Sequence, residues 1–192
     1  MMSKIGNKGF TLIELLVSMA LFAVVIIVAV GAVLALARAS DRSSAIITAI
    51  HNLDYAVEQM GRTIRVGTSY FCSNGAHPVD KRQQDCDWGD AKAALSFSDK
   101  DDQRILYKLN AAGGSLDREN LSEVPHRTFS ITSPEIFIEN MSFNVIGSSL
   151  FDTIQPRAMI RIKGRTVIPG LKDEDQVHFN LQTSVSQRVP DF

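Results

Sequence analysis

An uncharged and almost entirely apolar run occupies residues 15–37 of this 192-residue chain. As an α-helix with a rise of about 1.5 Å per residue, the run would be about 34 Å long, slightly more than the roughly 30 Å hydrocarbon core of a bilayer. A buried helix of a soluble domain does not need such a length. The run therefore predicts a helix that crosses a membrane.

Basic residues precede this run. Lys4 and Lys8 lie in the leader MMSKIGNKG, residues 1–9, and basic residues ahead of a first membrane helix favour a cytoplasmic N-terminus, so the rest of the chain would be exported. A secretory signal peptide is the alternative, because the sequence ALA at residues 35–37 resembles a signal-peptidase site. Two features weigh against it: the apolar run is longer than such peptides carry, and an acid, Glu14, lies at its entrance.

The ionised side chain of Glu14 must either reach water or be neutralised by a positively charged group. An ionised side chain in the hydrocarbon costs on the order of 3 kcal/mol on insertion scales. In one interpretation Glu14 lies near the interface and reaches water. In the other, the chain is cut between Gly9 and Phe10, and the new amine of one subunit neutralises the Glu14 carboxylate of the next. Phe10 and Glu14 are also expected to share a helical face, because they are four residues apart.

The stretch KGFTLIELLV at residues 8–17 resembles the N-terminal motif of prepilins, the precursors of type IV pilins and type II secretion pseudopilins. The resemblance implies that a membrane-embedded prepilin peptidase removes the leader after Gly9 and N-methylates Phe10. It also implies that Glu14 aids docking onto the neighbouring subunit. Residues 10–39 would then form the transmembrane helix before assembly and part of the filament core afterwards.

A helical apolar pattern continues beyond the membrane segment. Arg62 and Arg65 would lie in its last turn, where positive charge complements the helix dipole, and Gly67 is the predicted stop. A coiled coil would need more heptads. We therefore expect one long helix, ending near Val66, whose amphipathic second half packs on its own domain. The apolar positions of this half are Ile46, Ile50, Leu53, Val57, Met60 and Ile64.

After Gly67 the apolar pattern changes from helical to alternating, which is typical of half-buried antiparallel strands. Gly113 and Gly114 mark a turn. One long helix followed by six or seven short strands predicts an α+β fold, with the helix packed on an antiparallel β-sheet head, residues 40–192. The alternating residues are Leu95 and Phe97; Ile105, Tyr107 and Leu109; Phe129 and Ile131; Ile136 and Ile138; Phe143 and Val145; Ala158, Ile160 and Ile162; and Val177, Phe179, Leu181, Thr183 and Val185.

The order of helix and strands, with the ending FNLQTSVSQR at residues 179–188, resembles J-type minor pseudopilins and W-type minor pilins. This resemblance implies a non-enzymatic subunit that lies near the tip of a type IV pilus or type II secretion pseudopilus and helps to initiate its assembly. It would pass once through the bacterial inner membrane, with its head in the periplasm or on the filament. Implied partners are other minor and major pilins or pseudopilins, the prepilin peptidase, the inner-membrane assembly platform and, before assembly, membrane lipid.

A function of another class is a single-pass, signal-anchored periplasmic domain that binds or senses a ligand alone. This hypothesis predicts an uncleaved N-terminus and a head that acts as a monomer. It gives no reason for the junction between Gly9 and Phe10, or for Glu14.

Cys72 and Cys86 enclose a segment rich in Asn, Gly, Pro, Asp and Gln, which cannot build a core, so we expect an exposed loop. Two cysteines in an exported domain indicate one disulfide, with two free thiols as the alternative. Closing a loop of about 15 residues is worth about 3 kcal/mol in the chain-entropy model. A zinc site is poorly supported, because His77 is the only histidine nearby and structural zinc takes four ligands.

Acidic clusters at residues 85–90, 99–102 and 173–175 offer oxygen atoms for calcium, but none has the EF-hand spacing. We interpret them as solvated turns and expect no metal or cofactor. Enzyme motifs such as G-x-S-x-G, the P-loop and H-E-x-x-H are absent from the sequence. The histidines are scattered at His51, His77, His126 and His178.

Charge and aromatic patterning give no indication of a nucleic-acid partner. The formal net charge is -1, so the chain has no basic excess. Basic residues do not interleave with aromatic residues along the sequence as they do in single-strand binders. The partners that remain are those implied by the resemblance to prepilins and minor pilins, namely other proteins of the filament system and lipid.

Overall fold

The computed structural model describes residues 9–74, 83–88, 93–149, 154–169 and 176–188. Within these ranges one α-helix precedes eight antiparallel β-strands, which confirms the α+β class. The elements are α1 (Leu12–Arg65), β1 (Thr68–Ser73), β2 (Ala94–Ser98), β3 (Arg104–Asn110), β4 (Ser115–Asn120), β5 (Arg127–Ser130), β6 (Ile136–Ile146), β7 (Arg157–Thr166) and β8 (His178–Ser186). Predictions for Lys4, Lys8, His77, Asp90 and residues 173–175 fall outside the described residues.

The chain divides into two compact units, Met1–Ser44 and Ala45–Phe192. In the first unit every described side chain is exposed. The second unit has a hydrophobic core to which the C-terminal part of α1 and both β-sheets contribute. The strands and the hydrophobic core therefore belong to the second unit.

The C-terminal part of α1 packs on the core through a set of residues that includes Leu53, Met60 and Ile64 of the predicted stripe. Its buried residues are Ala49, Leu53, Ala56, Met60 and Ile64. Ile50, predicted to face the core, is 48% exposed, so that assignment is wrong. The reason is that two alanines occupy the core-facing positions. A hydrophobicity pattern gives alanine little weight, but its small side chain lets a helix approach its neighbours closely.

Sheet A contains β1 to β5, each paired with the next. The alternation in the sequence does not predict β1 or β4, so the eight strands of the described residues exceed the six or seven expected. β4 contains one large apolar residue, Leu116, between polar ones. Its acids are nevertheless buried and paired, since Ser115 Oγ donates to Asp117 at 2.8 Å and Lys108 Nζ lies 2.7 Å from Glu119 Oε2.

All five residues of β2 are buried, although the alternation predicts a half-buried strand. Its polar side is occupied by a buried guanidinium. Arg104 donates from Nη2 to Ser96 Oγ at 2.9 Å and from Nη1 to the Ser69 carbonyl at 2.7 Å. Ser69 has a φ of 55°, which is the left-handed conformation, and it lies where the register between β1 and β2 shifts. The hydrogen bond from Arg104 to its carbonyl stabilises this conformation. Burial lowers the pKa of Arg104 below its usual value.

β5, the outer strand of sheet A, is exposed at all four residues. A strand is present here as predicted, but its residues are not half-buried. Of the two residues predicted to face the core, Phe129 is exposed, whereas Ile131, directly after the strand, is partly buried against the core. Phe129 is 47% exposed, and the Arg118 guanidinium lies 5.6 Å from its ring centroid.

The turn between β3 and β4 follows the prediction. Gly114 has a φ of 62°, and its amide donates to the Asn110 carbonyl at 2.8 Å. A Cβ at this position would also collide with the Phe137 ring. Backbone conformation and space thus both require glycine here.

Sheet B contains β6, β7 and β8 in that order. β6 replaces the two strands predicted at residues 136–138 and 143–145. The cause is an irregularity between Ile138 and Asn140, where one extra residue moves the inward side chains from even to odd positions. Because the alternation of inward and outward side chains is interrupted there, the sequence pattern predicts two strands instead of one. In β7 and β8 the predicted alternation is confirmed.

Candidate functional site

The N-terminal motif begins just before α1. Gly9 and Phe10 precede the helix, and Phe10 is 77% exposed. Thr11 is the N-cap: its carbonyl oxygen accepts the Leu15 amide at 3.2 Å, and its Oγ1 accepts the Glu14 amide at 3.3 Å. Thr-x-x-Glu is the spacing of a capping box, a sequence signal that identifies Thr11 as the cap.

Glu14 lies in the first turn of α1 with its side chain exposed. The N-terminal end of a helix carries a partial positive charge, so a carboxylate is favoured there. The expectation that Phe10 and Glu14 share a helical face is wrong, because the cap at Thr11 starts the helix after Phe10. The side chains of Glu14 and Phe10 are therefore not related by the four-residue helical repeat.

The apolar part of α1 has no covering within the described structure. From Phe10 to Leu36 the large apolar side chains are between 43% and 79% exposed. α1 is the one helix of the described residues that is long and apolar enough to cross a membrane. Apolar surface on this scale requires lipid or neighbouring protein around it.

A family comparison agrees with this geometry. Residues 5–30 match the family model of the prokaryotic N-terminal methylation motif. The chain carries a prepilin-type signal. With the apolar helix, this prepilin signal indicates a single-pass, membrane-anchored, pilin- or pseudopilin-like structural protein, and it implies a prepilin peptidase and other pilin subunits as partners. Comparisons with curated proteins and with solved structures find no match to the chain.

The segment between Cys72 and Cys86 is a second candidate site. Cys72, in β1, is disulfide-bonded to Cys86, with the Cα atoms 6.1 Å apart and both residues buried. Cys86, which closes the loop, is held in the core because its amide and carbonyl exchange two hydrogen bonds of 2.9 Å with Val145 of β6. Residues 75–82 of the loop predicted to be exposed lie outside the described residues. The Gln84 amide donates to the Tyr70 carbonyl of β1 at 3.0 Å. Residues 84–86 thus join sheet A to sheet B.

The Asp85 carboxylate anchors the same segment to the end of β6. Its Oδ1 accepts the amides of Ser148 at 2.7 Å and Ser149 at 3.1 Å, and its Oδ2 accepts the Gly147 amide at 3.2 Å. Three consecutive amides around one carboxylate form an anion-binding nest. The acidic cluster at residues 85–90 predicts a solvated turn, whereas Asp85 is a tertiary anchor.

Several of the remaining described acids and histidines have structural contacts. Asp99 Oδ1 accepts the amides of Asp101 and Gln103, each at 2.9 Å, which confirms a turn at residues 99–102. His126 Nδ1 lies 2.7 Å from the Glu123 carbonyl oxygen. His178 Nδ1 lies 3.6 Å from Glu139 Oε1, and His51 is exposed on α1. Within the described ranges, no three His, Cys, Asp or Glu side chains are grouped so that they could hold a metal ion.

An open groove runs beside the C-terminal part of α1. Its polar lining consists of Tyr55, Gln59, Thr63, Tyr107, Arg118 and Ser130. Burial raises the pKa of Tyr107 above its usual value, and the Tyr107 residue is only 2% exposed. The groove therefore presents hydroxyl, amide and guanidinium groups.

Proposed function

We propose that this chain is a minor pilin or pseudopilin, similar to the J-type and W-type minor subunits, that assembles near the tip of a type IV pilus or type II secretion pseudopilus and helps to initiate filament assembly. The observation that carries the proposal is the coincidence of two features at the N-terminus. Residues 5–30 match the methylation motif, and the apolar helix of the same region is exposed along its length.

The subunit would act in two environments. A prepilin peptidase removes residues 1–9 by cutting after Gly9 and methylates the new amine of Phe10. Residues 10–39 then lie in the inner membrane, with the head, residues 40–192, in the periplasm. On assembly the same apolar surface leaves lipid and packs against neighbouring subunits. The exposure of this surface supports the proposal, because lipid and protein neighbours both bury it.

In the assembled filament the Glu14 carboxylate would meet the Phe10 amine of an adjacent subunit. Within the described residues the Glu14 side chain has no hydrogen bond or ion pair, while its backbone amide is satisfied by Thr11. A carboxylate taken into an apolar filament core needs a counter-ion, and a buried pair is far less costly than a single buried charge.

N-terminal processing tests the family proposal. The full chain is produced in cells with and without a prepilin peptidase, and the mature N-terminus is determined by sequencing and intact mass. We expect N-methylated Phe10 with the peptidase and Met1 without it. Gly9→Val is the matched control, since it removes the small residue before the cut and should leave the leader attached. Met1 retained in peptidase-containing cells would support the signal-anchored sensor instead, and a start at Arg38 would indicate a signal peptide.

Incorporation into filaments tests the role of Glu14. Glu14→Gln retains the size of the side chain and removes its charge, so membrane insertion and processing should be unchanged. We expect incorporation, measured by cross-linking to the major subunit, to fall at least about tenfold, which corresponds to about 1.4 kcal/mol. Thr11→Ala is the control that changes the cap and keeps the charge. Wild-type incorporation of Glu14→Gln would refute the pairing role.

A further inference from the structure

The described sheets have four edge strands, and a short segment bridges two of them. β1 and β6 are the inner edges, and residues 84–86 bridge them through the Tyr70 carbonyl and the backbone of Val145. The other edges are β5 in sheet A and β8 in sheet B. Within the described structure neither β5 nor β8 makes a backbone hydrogen bond on its outer side.

The two remaining edges differ in how they are protected. β5 has four residues, follows Pro125 and contains Arg127, all of which disfavour pairing with another strand. β8 has nine residues, HFNLQTSVS, with no lysine, arginine, acid or proline. Its pairing with β7 runs without a bulge. A long, regular and uncharged edge is a template for an additional strand.

The register with β7 identifies the backbone groups on the open edge. The Thr166 amide donates to the Val177 carbonyl at 2.9 Å, and the Gln187 amide donates to the Pro156 carbonyl at 2.9 Å. Antiparallel ladders alternate, so odd-numbered residues between these bonds face β7 and even-numbered residues face outward. The exposed residues whose N–H and C=O groups point to the open edge are His178, Asn180, Gln182, Ser184 and Ser186.

A row of cations lies one strand further in, on the solvent face of β7. This basic strip consists of Arg157, Arg161, Lys163 and Arg165, opposite Ser186, Gln182, Asn180 and His178 of β8. On the β6 side, Glu139 lies 3.9 Å from Lys163 and 3.7 Å from Arg165. Arg157 and Arg161 have no acidic partner among the described residues. The strip is therefore a local positive surface on a chain with a formal net charge of -1.

The core-facing side of β8 is incompletely covered. Phe179 and Leu181 are partly buried and pack against the core, whereas Ile160 and Ile162 of the adjoining strand are fully buried. A further strand beside β8 would cover the exposed sides of Phe179 and Leu181. The surface is therefore complementary to an added strand that has apolar side chains on one face and anionic side chains on the other.

We propose that the open edge of β8 binds an extended segment of a partner protein as a fourth strand of sheet B, and that this segment carries carboxylates facing the basic strip and apolar residues facing Phe179 and Leu181. Strands lie about 4.8 Å apart, so carboxylates on the added strand would lie about two strand spacings from β7, across the side chains of β8. Charge complementarity selects an acidic segment over a neutral one. The proposal concerns the head alone and does not depend on processing at Gly9.

A peptide probe tests the surface on the full chain in neutral detergent. The probe is a blocked peptide that alternates Glu with Val and Thr; the matched probes replace every Glu with Gln or with Lys. We expect binding of the Glu peptide, about tenfold weaker binding of the Gln peptide, and no binding of the Lys peptide. The amides of Asn180, Gln182 and Ser184 should exchange slowly with solvent only in the bound state, while Leu181 and Thr183 are protected throughout.

Variants separate the edge from the charge. Ser184→Pro removes an outward N–H and should abolish binding with little effect on folding, because proline is tolerated at that side of an edge strand. Arg157→Gln and Lys163→Gln should each weaken binding about two- to fivefold, the size of one exposed ion pair. Lys100→Gln, in the turn between β2 and β3, is the control and should leave affinity unchanged.

Three outcomes would overturn the proposal. Equal affinity for the Glu and Gln peptides would remove the charge selection. Binding of the Glu peptide to Ser184→Pro would show that the basic strip binds polyanions without strand addition. The same conclusion would follow if an oligothymidylate bound more tightly than the Glu peptide and its binding also persisted in Ser184→Pro. Protection of the Asn180, Gln182 and Ser184 amides in the protein alone, increasing with concentration, would show that a second copy of the chain occupies the edge.

Discussion

The backbone amide of Glu14 donates to the Thr11 hydroxyl oxygen at 3.3 Å, so the acid of the prepilin motif also belongs to the N-terminal cap of α1. The cap uses the backbone of Glu14, and the proposed contact with a neighbouring subunit uses its carboxylate. Substitutions at the two positions therefore separate helix stability from charge pairing.

Replacement of Thr11 should loosen the first turn of α1. Thr11→Ala removes the side-chain acceptor and should cost about 1 kcal/mol of local helix stability. Amide hydrogen exchange at Glu14 and Leu15 in micelles should become about fivefold faster, and Thr11→Ser should restore the wild-type rate. Unchanged exchange in Thr11→Ala would mean that the cap has no energetic role in the lipid environment.

Asp85→Asn should destabilise the head. The carboxylate accepts the amides of Gly147, Ser148 and Ser149, and an asparagine would turn an N–H group toward at least one of these donors. We expect a loss of about 1–3 kcal/mol, measured by denaturant unfolding of the full chain in detergent. Asp101→Asn, which removes an exposed contact with Lys100, is the control and should cost less than about 1 kcal/mol. Equal effects of the two substitutions would contradict the anchoring role.

Loss of the disulfide should act on the same junction between the sheets. The double substitution Cys72→Ala and Cys86→Ala should lower the unfolding free energy by about 3 kcal/mol. Because residues 84–86 carry both the disulfide and Asp85, its effect should not add to that of Asp85→Asn. Peptide mapping without reductant measures the bond directly, and two intact thiols in the exported protein would exclude it.

Alkaline pH should destabilise the head through Tyr107. Burial raises the pKa of Tyr107 above its usual value of about 10, so the unfolded chain loses this proton at a lower pH than the folded chain. The contribution of Tyr107 to the unfolding free energy is complete below the pKa that this residue has in the unfolded chain. It is lost as the pH rises through the pKa that the residue has in the folded chain. Tyr107→Phe should flatten the fall in unfolding free energy above about pH 10. Tyr55→Phe, which removes an exposed tyrosine, is the control and should keep the wild-type slope.

Local chemistry in the sequence predicts the membrane helix and the prepilin signal, because both depend on consecutive residues. The apolar run at residues 15–37 needs only its length and composition to indicate a membrane span. The prepilin signal is recognised from the order and spacing of Gly9, Phe10 and Glu14 alone. The alternation of β7 and β8 is also a local property, since each of these strands has one face toward the core.

Features that depend on residues distant in sequence are not predicted. Leu116 is the one large apolar residue of β4, and the strand becomes recognisable only when Lys108 and Ser115 pair with its acids. Ala49 and Ala56 face the core because of how closely α1 approaches the sheets, which the size of a side chain does not show in isolation. The single strand β6 looks like two strands because its bulge reverses the alternation.

The sequence by itself determined that the chain has a prepilin signal, one apolar helix and an α+β head, since these follow from composition and from periods of two and 3.6 residues. Only the tertiary structure decided where Asp85 is used, 63 residues from its partner Ser148, and that β8 is left as an open edge beside a row of cations. The physical reason is that hydrogen-bond partners and strand neighbours are chosen by the packing of the whole head, and residue order alone does not encode which edge remains without a neighbour.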